Sequence, residues 1–314
     1  MSRPRIAIAL AGAALALAVV LAALRVGETH GKLSGWQALV LGIVQGATEL
    51  LPISSSGHLI LVPWLAGWTY LEEHPDFNKT FDVALHLGTL VAVILYFWGD
   101  VVRLVRAWLR SIGRRSIKNE DERVAWYVAV ATVPAAIAGA AGEDFIEKKL
   151  GDPWQIALLL AVFAVVLWLA DRVPARRTID QIGWKGALAI GLAQCLALMP
   201  GVSRSGITIT AGRFLRLDRD RAARLSFLLL IPIVFGASVL KGVKDIALGG
   251  GLPPGSAGPF IVGMLAAAVV GLVAIWALLG YVRRHTYSLF VLYRLAIAAA
   301  ILVVIAAGWR GRNF

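Results

Sequence analysis

Charge is scarce in this chain. Of its 314 residues only 16% are Asp, Glu, Lys or Arg, against 59% hydrophobic, and the mean hydropathy is +0.75. That balance excludes a soluble domain of this length and leaves a polytopic membrane protein. Cysteine is scarcer still. A single residue, Cys195, excludes an intramolecular disulfide framework and any cysteine-based metal cluster, so chemistry has to come from other side chains. Acidic residues are outnumbered, 19 to 31, for a net charge of +12. The basic residues cluster in short loops between apolar runs, so the excess reads as membrane topology, with positive loops inside, and not as nucleic-acid binding.

Residues 1–25 begin basic and continue Ala/Leu-rich, as a secretory signal or a retained span would. The apolar run from Ile6 to Leu24 has the length of a span, and Arg3 and Arg5 would hold its start inside. Next comes a run from Trp36 to Leu51, an interruption from Pro52 to Gly57, and a second run to Trp68. Each half is too short for a hydrocarbon core of about 30 Å. Pro52 disfavours helix at Leu51, and Ser55 or Ser56 can cap the second half. This predicts a re-entrant helical hairpin entering from outside, since the loop from Tyr70 to Lys79 is mostly acidic. Phe81 to Gly99 is a full span that ends in a cytoplasmic loop, Asp100 to Arg123, with seven Lys or Arg residues. Further spans are expected at Val124 to Gly142, Trp154 to Ala170, Leu225 to Leu240, Phe260 to Gly280 and Ser288 to Gly308. Gly186 to Gly212 is interrupted by Pro200 to Gly206 and flanked by basic loops, which predicts a second hairpin, entering from the cytoplasm. The five arginines between 213 and 224 read as anchors among lipid headgroups.

The two interrupted segments are copies. A shift of 149 places Gly42 on Gly191, Gln45 on Gln194, Ser54 on Ser203, Ser56 on Ser205 and Gly57 on Gly206. The expected fold is an all-α integral membrane protein built from inverted repeats, about 36–170 and 184–308. It has two re-entrant hairpins, six full transmembrane helices and an extra N-terminal transmembrane helix in residues 1–30. The remainder, 31–314, forms one polytopic domain. Inverted repeats bring hairpin tips together near the midplane, where such folds place their sites.

Chemistry appears where the copies differ. Glu49 corresponds to Leu198, Ser55 to Arg204 and His58 to Ile207, so carboxylate, hydroxyl and imidazole on one tip face a guanidinium on the other. Gln45 and Glu49 share a helical face. Glu49 ends its half-helix, where the dipole disfavours an anion, so it needs a cation, a proton or a metal. The serines, Gly57 and His58 open the next half-helix, whose free N–H groups attract phosphate oxygens. Ser203, Ser205, Gly206 and Thr208 repeat that arrangement, and Arg204 adds a fork suited to phosphate. A lipid phosphate or diphosphate is the ligand this describes. Nucleophile, acid/base group and carboxylate beside an anion site meet the needs of phosphoryl transfer. Any one serine in such a loop can be only a cap, and His86, four residues after Asp82, reads as a packing or polar-pair residue. Glu49, His58 and Arg204 are too costly at this depth for that explanation.

QGATELLPISSSGH, PGVSRSGIT and AARLSFLLLIP together resemble the signatures of the bacterial undecaprenyl-diphosphate phosphatase family, also called UppP or BacA, from about Trp36 to the C-terminus. The resemblance implies hydrolysis of undecaprenyl diphosphate to the monophosphate, which recycles the lipid carrier for peptidoglycan and other envelope polymers and confers bacitracin tolerance. It also implies a site reached from the outer face of the cytoplasmic membrane and a divalent cation, Mg2+ or Ca2+, with Glu49 as its ligand. Glu49, Ser55, His58 and Arg204 would be catalytic, Ser55 as nucleophile. Ser54, Ser56, Gly57, Ser203, Ser205, Gly206 and Thr208 would bind phosphate, supported by Gln45 and Gln194. Gln45 stands where many relatives have Glu, which weakens any scheme needing two carboxylates on the metal. A homo-oligomer is compatible with this reading.

Two rivals remain at the level of sequence. A type-2 phosphatidic-acid phosphatase would need a histidine a few residues after its Ser-Arg element, yet the first after Arg204 is His285. A secondary transporter or lipid flippase could use the same inverted hairpins, but would not need His58 beside Ser55 and Arg204.

Overall fold

The computed structural model describes residues 33–241 and 256–311, with backbone alone at 143–149 and 241. The helix expected over 1–30 lies outside the described residues. Within them the chain forms α1 (Gly35–Glu49), α2 (Ser55–Ala66), α3 (Tyr70–Glu73), α4 (Pro75–Tyr96), α5 (Trp98–Arg114) and α6 (Glu120–Lys149). It continues with α7 (Pro153–Asp171), α8 (Gly183–Cys195), α9 (Arg204–Phe214), α10 (Arg219–Lys241), α11 (Ala257–Val282) and α12 (Ser288–Ala306). No strand is present among the described residues beyond an isolated bridge between Arg177 and Leu217.

Local chemistry sets many of these boundaries. Ser34 and Gln37 close a capping box on α1, and Asp152 with Gln155 does the same for α7, where Pro153 takes the first helical position. Gly67, at φ 71°, ends α2 in the left-handed conformation that glycine adopts without a Cβ penalty. Six helices, α4, α6, α7, α10, α11 and α12, are long and apolar enough to cross a membrane, and they coincide with the six spans expected from the sequence. The pairs α1/α2 and α8/α9 are built of shorter helices: α1, the longest of the four, has 15 residues and reaches only about 22 Å.

Three local expectations need correction. Tyr70 to Lys79 is not a loop: it holds α3 and the first turn of α4, started by Pro75 at its first position. Asp100 to Arg123 is mostly α5, an amphipathic helix that begins at Trp98. It buries Leu104, Ala107 and Ser111 on one face and turns Arg103, Arg106 and Arg110 outward. Counting charges conceals such a helix, because half its surface is polar. The cap of α2 is Ser54, which accepts from the Gly57 N–H, so Ser55 is already the first helical residue.

The halves pack crosswise. Helix α1 lies against α11 while its copy α8 lies against α6, and α4 meets α10 as α7 meets α12. Close approach needs small residues at both crossings. A Cβ on Gly42 would collide with the Gly263 carbonyl of α11, and one on Gly191 would come within 2.7 Å of the Ala131 carbonyl of α6.

Candidate functional site

The turns that end α1 and α8 meet in the interior. Ser54 and Ser203 are repeat partners, and each caps its helix from a left-handed backbone, with φ of 76° and 75°. For a serine that conformation is strained by roughly 1–2 kcal/mol and persists only where surroundings enforce it. Here the enforcement is mutual. The Gly201 N–H donates to Ser54 Oγ at 3.0 Å, and Ser205 Oγ donates to the Leu51 carbonyl at 2.8 Å, so each turn is tied to the other.

Beside this joint lies a cleft of about 280 Å³ whose polar lining is Glu49, Ser55, Ser56, Asp82, His86, Arg204 and Ser238. Glu49 is at its centre, 5% exposed. Its Oε1 accepts from Arg204 Nη2 at 2.9 Å, with Nε at 3.3 Å, and its Oε2 accepts from the Ser55 hydroxyl. Arg204 Nη1 also donates to the Ser226 carbonyl of α10 at 2.9 Å. A residue from each repeat thus completes one ion pair, which answers the need for a cation at the end of α1. The first amides of α2 and α9 have no intrahelical acceptors, so positive helix ends flank the same joint.

Other residues sort into engaged and available groups. Ser56 lines the cleft. Ser54 and Ser205 are occupied by the joint, Ser203 caps α9 through the Gly206 N–H, and Thr208 bonds to Arg204 and Ser226 within the protein. Gly57 and Gly206 supply the capped amides. A Cβ at Gly206 would lie 2.9 Å from the guanidinium of Arg294, a buried α12 residue. Gln45 lies beside Glu49, its Nε2 3.5 Å from Oε2, whereas Gln194 holds α8 to the Ala131 carbonyl.

The two histidines exchange places relative to expectation. His58 donates from Nδ1 to the Ser54 carbonyl at 2.6 Å, while its Nε2 meets the Tyr293 hydroxyl of α12 at 2.8 Å. Its ring is therefore turned to α12 and not to Ser55. His86 stands in the cleft instead: Nδ1 is 2.8 Å from the Asp82 carbonyl and Nε2 is 3.5 Å from Glu49 Oε2. The signal that could have found them is the cost of Asp82 and His86 within an apolar span, although the sequence reads His86 as a packing or polar-pair residue. What sequence spacing missed is that α4 runs past the hairpin tip.

No group of three or more His, Cys, Asp or Glu residues is arranged to hold a metal alone among the described residues. The donors nonetheless suit a hard cation completed by other ligands. Glu49 and Asp82 line one cleft, and the buried Oε1 of Gln45 has no hydrogen-bond partner.

Together these features define a class: a multi-pass membrane protein with a serine, a carboxylate and an arginine gathered between two helix N-termini. The family model described as bacitracin resistance protein BacA matches residues 38–300, and the chain belongs to that family. It is 45% identical over 272 residues to a protein of Desulforudis audaxviator named undecaprenyl-diphosphatase, covering 86% of this chain and 97% of the relative. Proteins of the same name from Moorella thermoacetica and Geobacter sulfurreducens are 47% and 48% identical, over 85% and 86% of this chain and 97% and 98% of theirs.

Proposed function

We propose that this protein is an undecaprenyl-diphosphate phosphatase of the bacterial cytoplasmic membrane. It hydrolyses the lipid diphosphate to lipid monophosphate and inorganic phosphate, recycling the carrier for peptidoglycan and envelope polymers and conferring bacitracin tolerance. The observation that carries this reading is the chain of contacts from Ser55 through Glu49 to Arg204, which joins nucleophile, base and anion clamp from two repeats. The hairpins enter the membrane from opposite faces, and the cleft opens to the outer one. With His58 turned to Tyr293, the feature that a transporter does not need is Ser55 hydrogen-bonded to Glu49 beside Arg204.

In the proposed reaction the terminal phosphate sits against Arg204 and the first amides of α2 and α9. Ser55 Oγ attacks the terminal phosphorus and passes its proton to Glu49 Oε2. The Oγ–P bond forms as the bridging P–O bond breaks, and the lipid monophosphate leaves with the electron pair of that bond. Water then cleaves the phosphoserine, giving phosphate and restoring the Ser55 hydroxyl. Glu49 and Asp82, with substrate oxygens, would hold a divalent cation, which when bound neutralises charge on the phosphates. His86 orients Glu49 from the Oε2 side, opposite Arg204, and His58 braces the α2 tip through Tyr293.

The test is inorganic phosphate release from a polyprenyl diphosphate by purified protein in detergent, with and without chelator, beside Glu49→Ala and Arg204→Ala. Loss of release in all three arms is expected. Release unaffected by both substitutions would overturn the site assignment, and no release by folded wild-type protein would overturn the phosphatase reading.

A further inference from the structure

The least accessible cation in the described residues is outside the cleft. Arg294, in the middle of α12, is 0% exposed and has no carboxylate within ion-pair distance among the described residues. Its guanidinium instead donates to four backbone carbonyls. Nη1 reaches Pro52 at 3.4 Å in the first turn, Nη2 reaches Gly201 at 2.9 Å and Val202 at 3.1 Å in the second, and Nε reaches Leu160 of α7 at 3.2 Å. It is bonded to both turns and to the helix that supports them.

Burying an arginine without an anion in a membrane protein is expensive, and an apolar residue of similar volume would fill the space at lower cost. The geometry points to what the cost supports: we propose that Arg294 is a positioning residue of the anion site. By collecting the carbonyl ends of both turns behind the joint, it leaves their N–H ends to face the ligand. Its unneutralised charge also adds to the positive field of the helix termini. The proposal rests on the phosphate-binding reading of the cleft and adds a residue that never touches the substrate.

Two variants separate the effects. Arg294→Lys keeps the charge but cannot reach four carbonyls in a planar fork. Arg294→Met keeps the volume and loses both. The readouts are inorganic phosphate binding by calorimetry, turnover and KM with a polyprenyl diphosphate, and thermal unfolding in the same detergent. Lys is expected to bind phosphate nearly as wild type while turnover falls about 100-fold at unchanged KM, the cost of a misplaced tip. Met is expected to lose turnover equally and to weaken phosphate binding about tenfold as well. A folded Met variant with wild-type turnover and phosphate affinity would overturn the proposal. So would losses that only track the unfolded fraction. If Met does not fold, the Lys variant decides alone: wild-type turnover there removes the positioning role. Wild-type protein that binds phosphate in an Arg294-dependent way yet hydrolyses nothing would sink the phosphatase reading and leave this inference standing.

Discussion

At the scale of single residues, the site is governed by what membrane depth makes costly. Glu49, His58 and Arg204 could be singled out because carboxylate, imidazole and guanidinium are costly in such surroundings and the repeat aligns their segments, whereas Ser55 as nucleophile followed from the family resemblance. Ser55→Ala removes the attacking oxygen and should lower turnover at least about 100-fold with little change in KM, as steady-state phosphate release would register. Arg204→Lys should be similarly impaired, because an ammonium cannot span Glu49 and a phosphate together. His86→Ala removes the imidazole beside Glu49 Oε2, leaving Ser55 and Gln45 there, and is expected to reduce turnover more than His58→Ala does, a ranking that the same assay checks. The inverse ranking would return the acid/base role to His58. Sequence reasoning weighted these histidines the other way round. Proximity along the chain put His58 near Ser55, but the Ser54 carbonyl and the Tyr293 hydroxyl hold its two ring nitrogens, while His86 arrives from a different helix.

Among elements, the six spans were legible because length and apolarity are properties of local sequence. The amphipathic helix α5 was hidden by its own arginines, and the serine cap was displaced by one position because a left-handed backbone at Ser54 cannot be read from residue type. That conformation makes a distinctive prediction. Ser54→Ala loses both the cap and the bond from Gly201 and keeps the strain, whereas Ser54→Gly loses the same bonds but relieves the backbone. Thermal unfolding should find the alanine variant less stable than the glycine variant by about 1 kcal/mol. Gly42→Leu should open the α1–α11 crossing and cost about 1–3 kcal/mol by overpacking, measured the same way.

Across the whole molecule, the two repeats are halves of one site. Glu49 and Arg204 are 155 positions apart and bonded. Separate fragments cut between Pro174 and Ala175 should each be inactive, and co-expression should restore phosphate release if the crosswise packing reassembles them. Activity in either fragment alone would remove Arg204 or Glu49 from the reaction.

Composition and hydropathy by themselves determined the membrane class, the spans and the interruption of two short segments, since each follows from transferring local stretches of chain from water to lipid. The repeat added which residues correspond. Tertiary structure alone decided that Arg204 neutralises Glu49, that His86 and not His58 stands in the cleft, and that Arg294 ties both turns from behind. Those contacts join helices far apart in sequence, and their geometry depends on crossing distances and ring directions that no local pattern encodes.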